Sequence, residues 1–155
     1  MSIHRTFLAC SGLIFLLCLA GYSHAADGQR LLRKGIDAYE AGDYRDAADI
    51  LEQATSRTEA TTEYYLWLGR SYGRLAEQSN FLNALSLAIK TRRNLERAVE
   101  LDEHNIAAME DLLAFYSQAP ALVGGGHDKA ENLRERLAAV RESQRHEPGK
   151  LHSGS

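Results

Sequence analysis

Past residue 25 this chain has no cysteine: both of its cysteines, Cys10 and Cys18, fall in the first 25 residues. Disulfides, thiolate metal sites and cysteine nucleophiles are therefore excluded from the remainder. That remainder must hold together by packing alone, for which roughly 130 residues suffice. An excess of basic charge is missing too. The formal net charge is -3 and the lysines are few, namely Lys34, Lys90, Lys129 and Lys150. Nucleic-acid binding, which rests on clustered positive charge, is not expected. Nor does any segment show the period-two alternation of a half-buried strand.

What is present begins with an apolar leader. His4 and Arg5 precede an almost unbroken apolar run from Phe7 to Leu19, and Ser23-His24-Ala25 supplies small residues after it. This is the pattern of a secretory signal peptide over residues 1–25, cleaved after Ala25. The run is shorter than the ~20 residues a spanning helix needs, and Gly21 weakens it further. Cys18 follows Leu17 rather than a small residue, so lipidation is not expected. The expectation is an exported protein, periplasmic or secreted, with no stable membrane span after cleavage.

The rest reads as helices. Leu31, Leu32, Ile36, Ala38 and Tyr39 recur at helical spacing from Gln29 to about Ala41, and Gly42-Asp43 breaks the run. Tyr44 to about Ser56 resumes it, which makes a helical hairpin. Thr61 or Thr62 would cap a third helix running to about Gln78. Ser79-Asn80 reads as a break and a new cap before a long helix from Phe81 to Leu101. A fifth helix starts at Ile106 and stops at Pro120 and Gly124-Gly125-Gly126. A sixth is expected from about Asp128 to Ser143, with Ala130, Leu133, Leu137 and Val140 facing inward. Residues 144–155 read as a disordered tail.

Gly35 and Gly69 lie 34 residues apart in similar surroundings. The first unit carries Gly35, Gly42-Asp43-Tyr44, Ala47, Leu51 and Ala54. The second carries Tyr65-x2-Leu68-Gly69-x2-Tyr72, then Leu95, Ala98, Leu101 and Asp102. The third carries Met109-x2-Leu112-Leu113-x2-Tyr116, then Ala130. On these residues the chain resembles the tetratricopeptide repeat (TPR) family, in a bacterial exported form. The resemblance implies an all-α, right-handed TPR-like solenoid of about three helical hairpins. Its helical domain would span residues 28–143, in repeats of about 28–60, 61–105 and 106–143. The second hairpin is elongated, with about ten more residues between Tyr72 and Leu95 than the pattern allows. Gly35, Gly69, Ala47, Ala54 and Ala98 would be the points where paired helices approach closely.

Motifs for chemistry are sparse. No G-x-S-x-G occurs, and Ser71 and Ser79 have no suggested base. His104 and His127 fall in turns, and His146 and His152 in the tail. No pair has the spacing of H-E-x-x-H, so no metal site is expected. Paired carboxylates such as Asp46 and Asp49 read as surface charge. Gly124-Gly125-Gly126, with Lys129, could cradle an anion through backbone N–H groups. It lacks the preceding strand and spacing of a phosphate loop, so a turn is the competing reading. The chain is expected to be neither an enzyme nor a cofactor binder.

Recognition remains. In TPR proteins the first helix of each hairpin lines a concave groove. The resemblance places Leu32, Ile36, Tyr39 and Glu40 there from the first unit. From the second it places Glu63, Leu66, Trp67, Arg70 and Arg74, and from the third Glu110, Ala114, Ser117 and Gln118. Tyr, Trp and Arg are the usual interface anchors. Tyr39 and Trp67 are equally readable as packing between repeats. Arg70 and Arg74 are equally readable as solvated or bridging to Glu63 or Glu77. One known TPR groove holds acidic chaperone tails with Asn and Lys. Here Ile36 and Arg70 stand at the Asn positions and Leu32 at a Lys position, so that ligand does not carry over. The expected function is a protein-interaction module or scaffold that binds a peptide or partner helix in the groove. A self-associating subunit of an envelope assembly, a homo-oligomer using Phe81, Leu82, Leu85, Leu87 and Ile89, is the alternative. A small-anion binder at the glycine loop is a second.

Overall fold

A computed structural model describes residues 26–57 and 60–146, and every regular element among them is helical. The expected signal peptide, 1–25, lies outside the described residues, as does 147–155 of the expected tail. Six α-helices follow in order: α1 over 26–40, α2 Tyr44–Arg57, α3 Thr62–Glu77, α4 Phe81–Leu101, α5 Ile106–Gln118 and α6 His127–His146. A short 3-10 turn, Ala121–Val123, lies between α5 and α6. The last helix runs to His146, so residues 144–146 are helix rather than tail.

Local chemistry sets these boundaries. Gly42 takes a left-handed φ of 88°, which a side chain disfavours. Its N–H donates to Tyr39 O and that of Asp43 to Ala38 O, both at 3.0 Å. These are the two bonds of a Schellman stop. Asn80 caps α4 by accepting from Asn83 N at 3.1 Å, and Asn105 caps α5 by accepting from Ala108 N at 3.0 Å. The threonines at the start of α3 do something else. Thr61 makes no side-chain cap bond, and Thr62 is buried and donates to Ala98 O at 3.3 Å across the hairpin. Sequence spacing signals a cap, but Thr62 lies opposite α4, and the Ala98 carbonyl, which already accepts the Asp102 N–H at 3.2 Å, takes the hydroxyl on its second lone pair.

Two apolar cores result, and α3 belongs to both. Tyr64, Leu68, Tyr72 and Leu75, at helical spacing along one side, pack with Leu32 of α1 and with Ala48, Leu51 and Ala54 of α2. On another side Leu66 packs with Leu95, Ala98 and Val99 of α4, Met109 and Leu112 of α5, and Leu133 and Leu137 of α6. The small residues sit at close approaches. A Cβ on Gly35 would meet Leu51 Cγ at 2.6 Å, and one on Gly69 would meet Leu95 Cδ2 at 2.9 Å. Ala47, Ala54 and Ala98 are fully buried.

Ten more residues separate Gly69 from Leu95 than separate Gly35 from Leu51. The excess is the projecting start of α4. Its outermost residues, Phe81 and Leu82, are 72% and 76% exposed.

Candidate functional site

α3 and α5 touch only lightly, while each packs firmly on α4. A cleft of about 400 Å³ opens between them. Its α4 side is Ala88, Thr91 and Leu95; Gly69 and Gly73 line one wall and Ala114 and Phe115 the other. Glycine and alanine leave the space that larger side chains would fill.

Of the nine groove residues expected from the first two units, Tyr39, Arg70 and Arg74 line this cleft. Tyr39 stacks edge-to-face on Trp67, with ring centroids 5.3 Å apart, and lies 5.2 Å from the Tyr44 ring. Burial raises the Tyr39 pKa, with the nearby Arg70 and Arg74 charges pulling the other way. The hydroxyl is therefore neutral at physiological pH, a donor as well as an acceptor at the cleft edge.

Arg70 reaches across the opening. Its Nε donates to Asp111 Oδ2 of α5 at 2.5 Å, and its guanidinium lies 4.7 Å from the Trp67 ring centre. Arg74 pairs with Glu77 and stacks 5.2 Å from the Tyr44 ring centre, donating to the Tyr44 hydroxyl at 3.4 Å. That hydrogen bond, with Glu77 beside it, raises the Arg74 pKa. The cleft's two cations are thus each held by a carboxylate and an aromatic face. Its net character is neutral, with small apolar residues at its heart.

The other six from those units do not line it, and Glu40 is exposed at the end of α1. Leu32 and Leu66 are 4% and 5% exposed and belong to the two cores, so neither faces a groove. The helical phase that points them away from Gly35 and Gly69 points them into neighbouring helices. Ile36 and Trp67 pack, half-buried, against the first core. Glu63 is exposed at the start of α3, away from the cleft. Of the third-unit residues, Ala114 and Gln118 line the cleft, whereas Glu110 pairs with Arg141 of α6 and Ser117 donates to Leu113 O at 2.8 Å. Asp111 and Thr91 line the cleft but are not among the residues expected there, Asp111 reading with Glu110 as surface charge. Asp111 shares a helix face with Ala114 and Gln118, a spacing of three and seven that was available as a signal.

The glycine loop is a different construction. Gly124, with φ 95°, donates its N–H to Ala121 O, Gly125 to Pro120 O and Gly126 to Tyr116 O, at 2.9, 3.2 and 3.0 Å. All three amides are engaged by carbonyls, which leaves none of them for an anion. Lys129 Nζ donates to Gly124 O at 3.1 Å and sits 5.3 Å from the Tyr116 ring centre. Arg92 donates to Val123 O at 3.1 Å while gripping Glu96, and Glu96 accepts from the Tyr116 hydroxyl at 2.8 Å. The loop is pinned from both sides.

Among the described residues no helix is long and apolar enough to cross a membrane, and no cluster of three or more His, Cys, Asp or Glu could hold a metal. None of the known family models, curated proteins or solved structures matches this chain.

Proposed function

We propose that this chain is an exported TPR-like protein, a right-handed solenoid of about three hairpins that recognises a protein partner through the α3–α5 cleft. Export rests on the leader over residues 1–25. The TPR reading rests on the 34-residue spacing of Gly35 and Gly69 and on their like contacts, each against a leucine of the following helix. The function rests on one observation: the cleft of about 400 Å³ gathers Tyr39, Arg70 and Arg74 around small apolar residues. Because each charge there is already matched, the ligand is a neutral apolar segment of a peptide or helix rather than an acidic tail. The glycine loop is structural in this reading, since its amides are engaged.

The test is cross-linked capture of partners from the cell envelope or secreted fraction. Wild type is compared with a Tyr39→Ala, Arg70→Ala, Arg74→Ala triple variant whose fold is checked first. A partner enriched by wild type and lost by the variant supports cleft recognition. Equal recovery from both removes the cleft from the reading.

A further inference from the structure

The first nine residues of α4, Phe81-Leu82-Asn83-Ala84-Leu85-Ser86-Leu87-Ala88-Ile89, contain no charged side chain, in a chain that is 25% charged. Phe81, Leu82, Asn83 and Ser86 among them are exposed and the others half-buried, a pattern that follows from the register of the hairpin. Gly69 lies against Leu95 and Gly73 against Thr91, so the end of α3 at Glu77 stands near Leu87. The turns of α4 before Leu87 project past it. On the α5 side, Ala88 is the outermost α4 residue of the cleft.

One face of this projection is continuous. Phe81, Leu85, Ala88 and Arg92 follow at helical spacing and share a side of α4. Arg92 holds the carbonyl of Val123, which sets the glycine loop on that same side. There Leu122 is 74% exposed, on a loop pinned by Arg92, Lys129 and its own amides. An apolar residue on so stiff a support loses little freedom when it is covered.

We propose that Phe81, Leu82 and Leu85, with Leu122 further along the same side of α4, form the contact surface for a second copy of this chain, in a two-fold interface where α4 packs on α4. The missing charge points to this occupant. In a two-fold contact the same patch meets itself, so an ionisable group near the axis faces its own like charge. A charge-free stretch removes that conflict. It also matches the charge-depleted, aromatic-bearing centre of known interfaces. A different protein partner would supply complementary charge and would not require its absence. A lipid surface draws on flanking Lys and Arg. The first basic residue of α4, Lys90, is turned instead to Tyr72 and Glu52.

Analytical ultracentrifugation of the full-length chain across micromolar concentrations tests the proposal. The expected result is a monomer–dimer equilibrium whose dissociation constant rises about 30-fold or more in a Phe81→Asp, Leu82→Asp double variant. Both residues are exposed, so unchanged circular dichroism is expected. A Leu82→Cys variant, made with Cys10→Ser and Cys18→Ser, should form a disulfide-linked dimer on oxidation. A Glu135→Cys control on α6 should not. Tyr39→Ala should dimerise as wild type does, which separates this surface from the cleft. A wild type that stays monomeric, or a dimer indifferent to the two aspartates, overturns the proposal. Monomers that sediment with phosphatidylglycerol vesicles through the same residues overturn it too, and assign the face to a membrane.

Discussion

Gly35 of α1 lies so close to Leu51 of α2 that a Cβ on the glycine would fall 2.6 Å from Leu51 Cγ. Leu51 is fully buried and has nowhere to move. Gly35→Ala should therefore destabilise the fold by about 1–3 kcal/mol through overpacking. Gly73 makes the contrast, because its Cβ would meet only Thr91 Cγ2, at 3.7 Å. Gly73→Ala should stabilise by about 0.5–1 kcal/mol through the helical preference of alanine. Urea denaturation of both variants checks the pair; shifts of the same sign would contradict the packing described.

Gly125 tests the loop. A Cβ there would collide with the backbone carbonyl of Ala119, which no rotamer change relieves. Gly125→Ala should cost about 2 kcal/mol or more. It should also speed hydrogen exchange at the Gly126 amide, whose bond to Tyr116 O closes the loop. Unchanged exchange would show that the loop tolerates the methyl group.

Two tyrosines make the fold sensitive to alkali. The Tyr72 hydroxyl donates to Glu52 and that of Tyr116 to Glu96, each pair 20 residues apart in sequence. Burial first, and then the bonded carboxylate, hold both hydroxyls well above their usual pKa. The unfolded chain releases these protons near pH 10, while the folded chain keeps them. Their contribution is complete below about pH 10 and is lost as pH rises through the folded values. A Tyr72→Phe, Tyr116→Phe variant should lose about 1 kcal/mol per site at neutral pH. It should also show a shallower fall of stability in alkali, read from denaturation midpoints against pH.

Arg70 and Asp111, with side chains 27% and 32% exposed, tie α3 to α5 across the cleft. A double-mutant cycle with Arg70→Ala and Asp111→Ala should return a coupling of about 1 kcal/mol. The coupling should shrink as salt is added. Zero coupling at low salt would mean that the two side chains do not hold the cleft together.

The helices were legible because their signals are local. Asn80 caps where it stands, Gly42 stops α1, and the apolar spacing of α3 and α4 gives their extents directly. The close approaches at Gly35 and Gly69 were legible from their residue type. The site was less so. Leu32 and Leu66 share a helical phase with residues that line a groove, and only the presence of a neighbouring helix decides which are covered. Asp111 was hidden for a related reason: its partner lies 41 positions away on another helix. The ten residues added to α4 show in the sequence as a count, but their projection past α3 follows from contacts between helices.

α3 is flanked by a core on either side, so neither half of the fold owns it. In an array whose units touch only their neighbours, the ends can melt while the middle survives. Here a loss of α1 and α2 would bare Tyr64, Leu68, Tyr72 and Leu75, and a loss of α4 to α6 would bare Leu66 on the same rod. The central helix thus makes each half the guarantor of the other. Calorimetry should show one endotherm rather than a sequence of them, with van't Hoff and calorimetric enthalpies in agreement.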